Sequence, residues 1–439
     1  MDKNIKIVVV GAGMGGLATA LALAKKGFTH IDLYETASNL GFVGAGIQLA
    51  PNMARILDNL GAWAAIEKEA VELKETSIRQ GDEDKELAHV DLRYIRDTYG
   101  YPHMVGHRSS LAGALYESCK REKAITFHFS HSIEGIESWT PKPTMRIKPR
   151  NGEPFTVQAD VLLSADGVKS KTRKALLKEL NIEDQIVETN QAAYRIMLTR
   201  AEMEHDPELL NLIDNDLVIR WIGAKRHIIA YPVSNKTIYN ISTCQPDKNF
   251  AEGPSATYTT KGSKSEMLKT FDDFCPMLQR MLDLVPDGEV CEWALRVHAP
   301  LPTWVRGSVG LVGDACHPTL PHLAQGAAQA IEDAAVLGEV LSLCPSSSPE
   351  DINKTLQVYE KLRKERAEAL VEMAAANGRD LHLGAGAAKE ERDKKFAALK
   401  EGKGTVPDKW ADADVQKLIY GHDCAEVAKD SFAGLFAKL

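Results

Sequence analysis

The chain has few of the marks of a disulfide-stapled, metal-bound, membrane-bound or nucleic-acid-bound protein. Its seven cysteines stand at 119, 244, 275, 291, 316, 344 and 424, an odd number with no C-x-x-C pair. That argues against a disulfide framework and a zinc site, and for a reducing compartment. No spacing among the 13 histidines forms a metal-ligand set, so no metal is expected. No uncharged apolar run approaches the ~20 residues of a membrane helix. No basic leader precedes Ile5, so neither a membrane partner nor a signal peptide is expected. Basic surplus is missing too: 53 Lys and Arg stand against 61 Asp and Glu, a formal charge of -8. Nucleic acid is thereby set aside as a main partner, because no excess of cations exists to neutralise phosphates. No internal repeat is visible. A cytoplasmic protein is expected. The terminal Ala437-Lys438-Leu439 is close to the S-K-L peroxisomal address, which keeps that compartment as the alternative.

What is present is an ordinary globular chain of 439 residues, 44% of them hydrophobic. At about 150 residues per domain it is long enough for two or three. Ile5 to Val10 reads as a strand, Leu17 to Lys26 as a helix and Ile31 to Tyr34 as a second strand, a β-α-β unit. Helices are expected at Asn52 to Leu60, ended by Gly61, and at Ser109 to Arg121. Strands are expected at Ile125 to Phe129, Ile133 to Trp139, Thr144 to Lys148, Pro154 to Gln158 and Val161 to Ala165. From about residue 181 to 290 the pattern changes. Ala192 to Leu198, Leu217 to Trp221, His227 to Pro232 and Thr237 to Thr243 read as an antiparallel sheet. Pro246 to Lys264 reads as a loop and Ser265 to Leu284 as helical. Beyond Ala327 the chain is mostly helical. Leu356 to Ala376 carries paired charges on a solvated face, and Lys389 to Lys403 is expected to be a charged, poorly ordered arm.

Three segments carry chemistry. Gly11-Ala12-Gly13-Met14-Gly15-Gly16 follows the first strand and opens the first helix. Gly11 permits the tight turn, Gly13 lets backbone approach a pyrophosphate, and Gly16 lets helix pack on strand. The free N–H groups and dipole of that helix suit phosphate. Glu35 closes the second strand, where a carboxylate can accept ribose hydroxyls. The alternative for this segment is a structural glycine turn. Asp166-Gly167-x-x-Ser170-x-x-Arg173 lies between a strand and a helix. It reads either as a cofactor contact through Asp166 or as a plain turn with Ser170 at the helix cap. In Gly313-Asp314-Ala315-Cys316-His317-Pro318, Gly313 allows close approach and Asp314 can bind a polyol. Pro318 and Pro321 stiffen the loop. The helix opening at Gly326 and Ala327 presents N–H groups that can face the electron-rich edge of a bound ring. Cys316 reads as a buried apolar residue and His317 as a loop-structural one.

In that order, these three segments resemble the group A single-component flavoprotein aromatic hydroxylases, over about residues 5 to 370. Gly106-His107-Arg108-Ser109-Ser110-Leu111 matches the family's G-x-R-x-x-L, which implies that Arg108 lies along FAD. Within the family the chain is most similar to salicylate hydroxylases and 6-hydroxynicotinate 3-monooxygenases. That similarity rests on Gly44 to Asn52, Ala315 to Asp333 and Tyr359-Glu360-x-x-Arg363-x-x-Arg366. Two departures stand out: Ala324 where glycine is common, and Gln48 where some nicotinate-type relatives have histidine.

The resemblance implies an α/β fold: a glutathione-reductase-like Rossmann FAD domain, an inserted antiparallel-sheet substrate domain and a helical C-terminal region. The FAD domain is expected from residues 1–75, 101–180 and 291–345, the substrate domain from 76–100 and 181–290, and the helical region from 346–439. It further implies FAD as cofactor, with NADH or NADPH and O2 as co-substrates acting through a C4a-hydroperoxyflavin, and a monomer or homodimer. The substrate implied is a small aromatic carboxylate or phenol, hydroxylated with or without loss of CO2. Relatives place pocket residues where Arg195, His227 and Tyr231 stand. Arg195 is the candidate for a carboxylate or phenolate, against a surface ion pair. Tyr231 is the candidate for the substrate hydroxyl, against a core tyrosine. His227 is a possible base, against a structural histidine, and His322 is a further pocket candidate. A halogenase is disfavoured by the lack of a W-x-W-x-I-P segment, and a non-catalytic flavin-binding scaffold is the alternative outside enzymology.

Overall fold

A computed structural model describes residues 1–40, 45–248, 259–399, 404 and 406–439. Its first layer grows from the β-α-β unit. Lys6–Val10 and His30–Glu35 pair in parallel, with Met14–Lys25 crossing between them. Val161–Ser164 and Val309–Leu311 extend the sheet on one side and Ile125–Phe129 on the other, all in parallel. Val305–Arg306 adds an antiparallel edge, giving six strands among the described residues. Lys6–Val10, Val161–Ser164 and Val309–Leu311 in its middle are buried on both faces and are near-continuous apolar runs, as parallel sheets require. Helices Met14–Lys25, Gly326–Leu343 and Pro349–Leu381 cover one face, with Leu17, Leu21, Ile331, Leu337 and Leu356 at 0% exposure. A meander of His131–Ser138, Thr144–Pro149 and Phe155–Gln158 closes the other face around Val8, Val10 and Leu162.

The second layer is an eight-stranded sheet, in the order Thr259–Lys261, Cys291–His298, Ile186–Thr199, Ile238–Pro246, Arg226–Val233, Leu217–Gly223, Glu75–Gln80 and Glu86–Asp91. It is antiparallel apart from the pairing of Leu217–Gly223 with Glu75–Gln80. Side chains alternate between its faces. Tyr194, Ile196, Ile228, Ala230, Tyr239 and Ile241 point into a core covered by the helices Pro207–Asp214, Lys264–Thr270 and Pro276–Asp283. The intervening residues Arg195, His227, Ile229, Tyr231 and Ser242 line a cavity on the opposite face. A one-residue slip in any strand would exchange the two sets.

Two sequence expectations are corrected. Ser265 to Leu284 is not one helix. It breaks at Phe271 and restarts at Pro276, because Phe274 folds back beneath Gly81 and Gly223. The charged stretch expected to be a loose arm instead forms the helix Ala387–Leu399, whose Phe396 is 1% exposed against Ile78 and Leu87. Lys400 to Lys403 lie outside the described residues, as does most of the Pro246 to Lys264 loop. Short strands at Gly46–Leu49, Val71–Glu72 and Met104–His107 were not expected and form their own small sheet. No helix among the described residues is long and apolar enough to cross a membrane.

Candidate active site

A cavity of about 380 Å³ runs from the first glycine turn to the free face of the eight-stranded sheet. The turn itself is built by close packing. Gly11 has φ +92°, and a Cβ there would lie 2.4 Å from the Ala165 carbonyl oxygen. A Cβ on Gly16 would fall 1.8 Å from the Gly11 carbonyl oxygen. Gly13 differs, because nothing lies within 4 Å of its Cβ position. Its backbone faces open space at the start of helix Met14–Lys25, which has no side-chain cap. The turn can therefore receive an anionic group on uncapped N–H donors.

Glu35 sits half-buried behind this turn. One oxygen accepts from the Ala12 N–H at 2.7 Å and the other from the Ala37 N–H at 2.7 Å. Asp166 Oδ2 accepts from the Lys171 and Thr172 N–H groups, while its Oδ1 is buried and unpartnered. Ser170 caps the same helix at Arg173 N. Arg173 is fully buried and donates to the carbonyls of Val168 and Ala315, which ties the middle segment to the late one. Gly11, Gly16, Glu35 and Asp166 thus shape the wall behind the cavity; Gly13, Met14, Arg108, Gly313, Asp314, Pro321, Gly326 and Ala327 line it.

The Asp314 carboxylate opens into the cavity. The protein around it raises its pKa above the usual carboxylate range, and His317 and Arg108 pull the other way. Gly313 has φ +61°, and a Cβ there would press on Ala330 at 2.9 Å. Helix Gly326–Leu343 begins without a side-chain cap beside this turn. Open backbone at Gly13 and two uncapped helix starts on one cavity fit an extended dinucleotide such as FAD.

At the far end the cavity is cationic. Arg195 is half-buried, stacks 5.0 Å from the Trp293 ring and makes no ion pair with a described residue. Burial, then the neighbouring Arg108, lowers its pKa. Arg108 also lines the cavity, and a guanidinium that no described carboxylate neutralises favours an anion beside it. Tyr231 is 5% exposed, and its hydroxyl bonds no described residue and is not sealed from the cavity. Burial pushes its pKa up. Loop backbone meets the sheet here: Asn240 Oδ1 accepts from Gly46 N at 2.6 Å, and a Cβ on Gly46 would clash with Asn240 and Tyr231. Gln48, where some relatives have histidine, lines the cavity and contacts His103 Nε2 at 3.2 Å. Gly44 of that motif lies outside the described residues.

The fold also gathers residues that spacing could not connect. His227 Nδ1 lies 2.6 Å from His382 Nε2, with Cys244 beside them. His322 is 2% exposed and contacts Gln191 at 3.1 Å. Gly378 leaves room for its ring, since a Cβ there would lie 2.5 Å from it. Behind the flavin-type loop, His317 Nε2 meets Asp333 Oδ2 at 2.6 Å, and Asp333 also accepts from Gly313 N. Asp333, Glu332 and Arg363 were not singled out as a unit; helix periodicity places the acidic pair, but not its partner on the next helix. Cys316 is 5% exposed, and burial pushes its thiol well up, as a buried apolar role requires.

Removing the Arg195 cation tests the anion site. Arg195→Ala is expected to weaken substrate binding by about 1.5–3 kcal/mol, roughly a 10- to 150-fold rise in KM, with FAD retained. An unchanged KM in steady-state kinetics would take Arg195 out of the pocket.

The family model for the FAD binding domain matches residues 4–374 of this chain. A FAD-dependent monooxygenase of Beauveria bassiana is 31% identical over 435 residues, covering 98% of each chain. A 3-hydroxybenzoate 6-hydroxylase of Klebsiella oxytoca is 30% identical over 383 residues, covering 87% of this chain and 90% of that one. A salicylate hydroxylase substrate complex superposes with a TM-score of 0.78 at 22% identity, over 97% of this chain and 98% of the other.

Proposed function

Since the chain belongs to the FAD binding domain family and is a FAD-dependent aromatic monooxygenase, we propose that it hydroxylates a small phenolic carboxylate at the cationic end of the cavity, with NADH or NADPH and O2 as co-substrates. The observation that carries this reading is Arg195, which forms no ion pair with a described residue, on the same cavity wall as the free Tyr231 hydroxyl. FAD, when bound, supplies electron transfer from the nicotinamide and activation of oxygen.

The chain's own residues place and prepare the substrate. Arg195 holds the carboxylate or phenolate, and Tyr231 hydrogen-bonds the ring hydroxyl. A phenol attacks an electrophile faster as its phenolate, so its proton must leave. His227 lines the cavity and is neutral at pH 7, because burial and then His382 and Arg220 hold its pKa well below the usual range. Its free Nε2 can take that proton. Gly13, Met14 and Arg108 hold the phosphates and ribityl chain, Glu35 and Asp166 hold the glycine and middle turns, and Asp314, Pro321, Gly326 and Ala327 seat the reacting ring. CO2 leaves where the carboxylate stands on the ring carbon attacked, and stays where it does not.

The test is a panel of salicylate, hydroxybenzoates, hydroxynicotinate and uncharged phenols, scored by nicotinamide oxidation, oxygen uptake, peroxide yield and CO2 release. Coupled turnover confined to phenolic carboxylates is expected. Equal turnover of uncharged phenols would overturn the anionic-substrate reading, and nicotinamide oxidation ending only in peroxide with every compound would overturn the reaction itself.

A further inference from the structure

A proton taken by His227 cannot stay there. Its ring is 4% exposed, and the groups that face it are cationic or neutral. Arg220 comes from the adjacent strand Leu217–Gly223, its charge compensated on the far side by Asp408. His322 comes from the loop at 321–323, its ring 5.5 Å away. Cys244 comes from strand Ile238–Pro246, its thiol donating to Gln191 Oε1 at 3.1 Å. Burial pushes that thiol up, so it stays neutral. Arg392, from helix Ala387–Leu399, adds a further positive charge near His382. No described carboxylate forms an ion pair with either ring.

His227 does have an outlet. Its Nδ1 is bonded to His382 Nε2 at 2.6 Å. His382 stands at the C-terminal end of helix Pro349–Leu381, half-buried and outside the cavity lining. Its backbone carbonyl accepts from Lys225 N at 2.9 Å, which fastens the helix end to the hairpin turn just before His227. The two distal ring nitrogens, His227 Nε2 and His382 Nδ1, bond no described residue. Neither is among the sealed, unpartnered atoms, although His322 Nδ1 nearby is. One end of the pair therefore belongs to the cavity lining and the other to a partly exposed residue outside it, with a short contact between.

We propose that His382 is the second member of a proton relay that carries the substrate's phenolic proton from His227 out of the cavity to solvent. The inference rests on the phenolic substrate proposed above. In the forward direction the phenol O–H bond breaks and an N–H bond forms at His227 Nε2. The proton on His227 Nδ1 passes to His382 Nε2, and the proton on His382 Nδ1 passes to water. Both rings end neutral with their tautomers exchanged. The same path run backwards protonates the product phenolate and restores the starting tautomers, so no further reactant is needed. Arg220 and Arg392 disfavour a proton resting on either ring, which keeps it moving. His382 touches no substrate and acts through His227, so it is a positioning and relay residue.

The test uses the FAD-loaded enzyme and a phenolic substrate from the panel, following phenolate absorbance after rapid mixing in H2O and D2O. His382→Ala is expected to slow deprotonation by about tenfold or more, raise its solvent isotope effect and regain rate when imidazole is added. His382→Gln keeps a hydrogen-bonding side chain for His227 but cannot pass a proton. It should show the same slowing with FAD content unchanged, and it serves if the alanine variant folds poorly. Deprotonation at the wild-type rate in both variants would overturn the relay while leaving the proposed reaction standing. Slowing without imidazole rescue in a well-folded alanine variant would also overturn it, in favour of a structural role. Failure of the wild-type enzyme to bind or turn over any phenol would remove the functional reading and the relay with it.

Discussion

Arg363→Ala is expected to destabilise the protein by about 3–5 kcal/mol and to release FAD, because it leaves two buried carboxylates without their shared cation. Arg363, Glu332 and Asp333 are each 0% exposed. The guanidinium Nε donates to Asp333 at 2.8 Å, one terminal nitrogen to Glu332 at 2.6 Å and the other to the Gln329 side chain at 2.7 Å. Burial alone would raise the Glu332 carboxyl; Arg363 and Arg366 overcome it and bring it down to about 2. Asp333 spends its other oxygen on Gly313 N and His317, so the loss travels directly to the Asp314 turn. Arg363→Lys should recover only part of the stability, since an ammonium cannot span both carboxylates with the arginine's fork. Urea unfolding and bound-flavin absorbance check both effects. A midpoint within experimental error of wild type would show that Arg366 and His317 neutralise the pair unaided.

The parts of the site that were legible in the sequence are those whose meaning is local. The glycine turn, Glu35 at a strand end and Gly313-Asp314 before a helix each state their geometry within a few residues, and the segments fall as expected. Arg195, His227 and Tyr231, singled out through the family resemblance, stand on the cavity face of their strands while Tyr194, Ile228 and Ala230 beside them face the core. The contacts that were not legible join distant segments. His382 reaches His227 across 155 positions, from a helix end that carries no motif of its own. Strands Glu75–Gln80 and Glu86–Asp91 are short and rich in charge, so only their pairing at the sheet edge defines them. Helix Ala387–Leu399 has a weak apolar stripe. It is held by one buried Phe396 and by Arg392, whose Nη1 donates to the Leu381 carbonyl and whose other guanidinium nitrogens pair with Asp393, features that a count of charges hides.

Mild acid is expected to unfold the protein through its buried histidines before its carboxylates titrate. His103 is 1% exposed and His322 2%. Burial, joined at His322 by His382 and Arg220, brings each down to about 3. In the unfolded chain both return to about 6.5. The sign follows from proton counts: between pH 6.5 and 3 the unfolded state binds a proton at each position and the folded state does not, so stability falls as pH falls. Each contributes about 1.4 kcal/mol per pH unit, and the pair about 4 kcal/mol between pH 6.5 and pH 5. His227 and His382 act in the same direction, with His382 held at about 4 by burial and then Arg220. A loss of that size is a large share of the ~5–15 kcal/mol that holds a typical domain together. The depressed Glu332 and Asp333 behave differently: the stabilisation from Glu332 is intact above about pH 4 and fades only as pH falls towards 2, and Asp333, also lowered, acts in the same direction. Urea midpoints at pH 7, 6 and 5 measure the histidine phase. Among the described polar groups His103 bonds Gln48 and Tyr420, away from the His227 cluster, so His103→Gln should flatten the slope by about 1.4 kcal/mol per pH unit without touching the relay. A slope unchanged by that substitution would mean that His103 is already protonated in the folded chain, and its bond to Gln48 at the cavity wall would then carry a charge next to the substrate's anion.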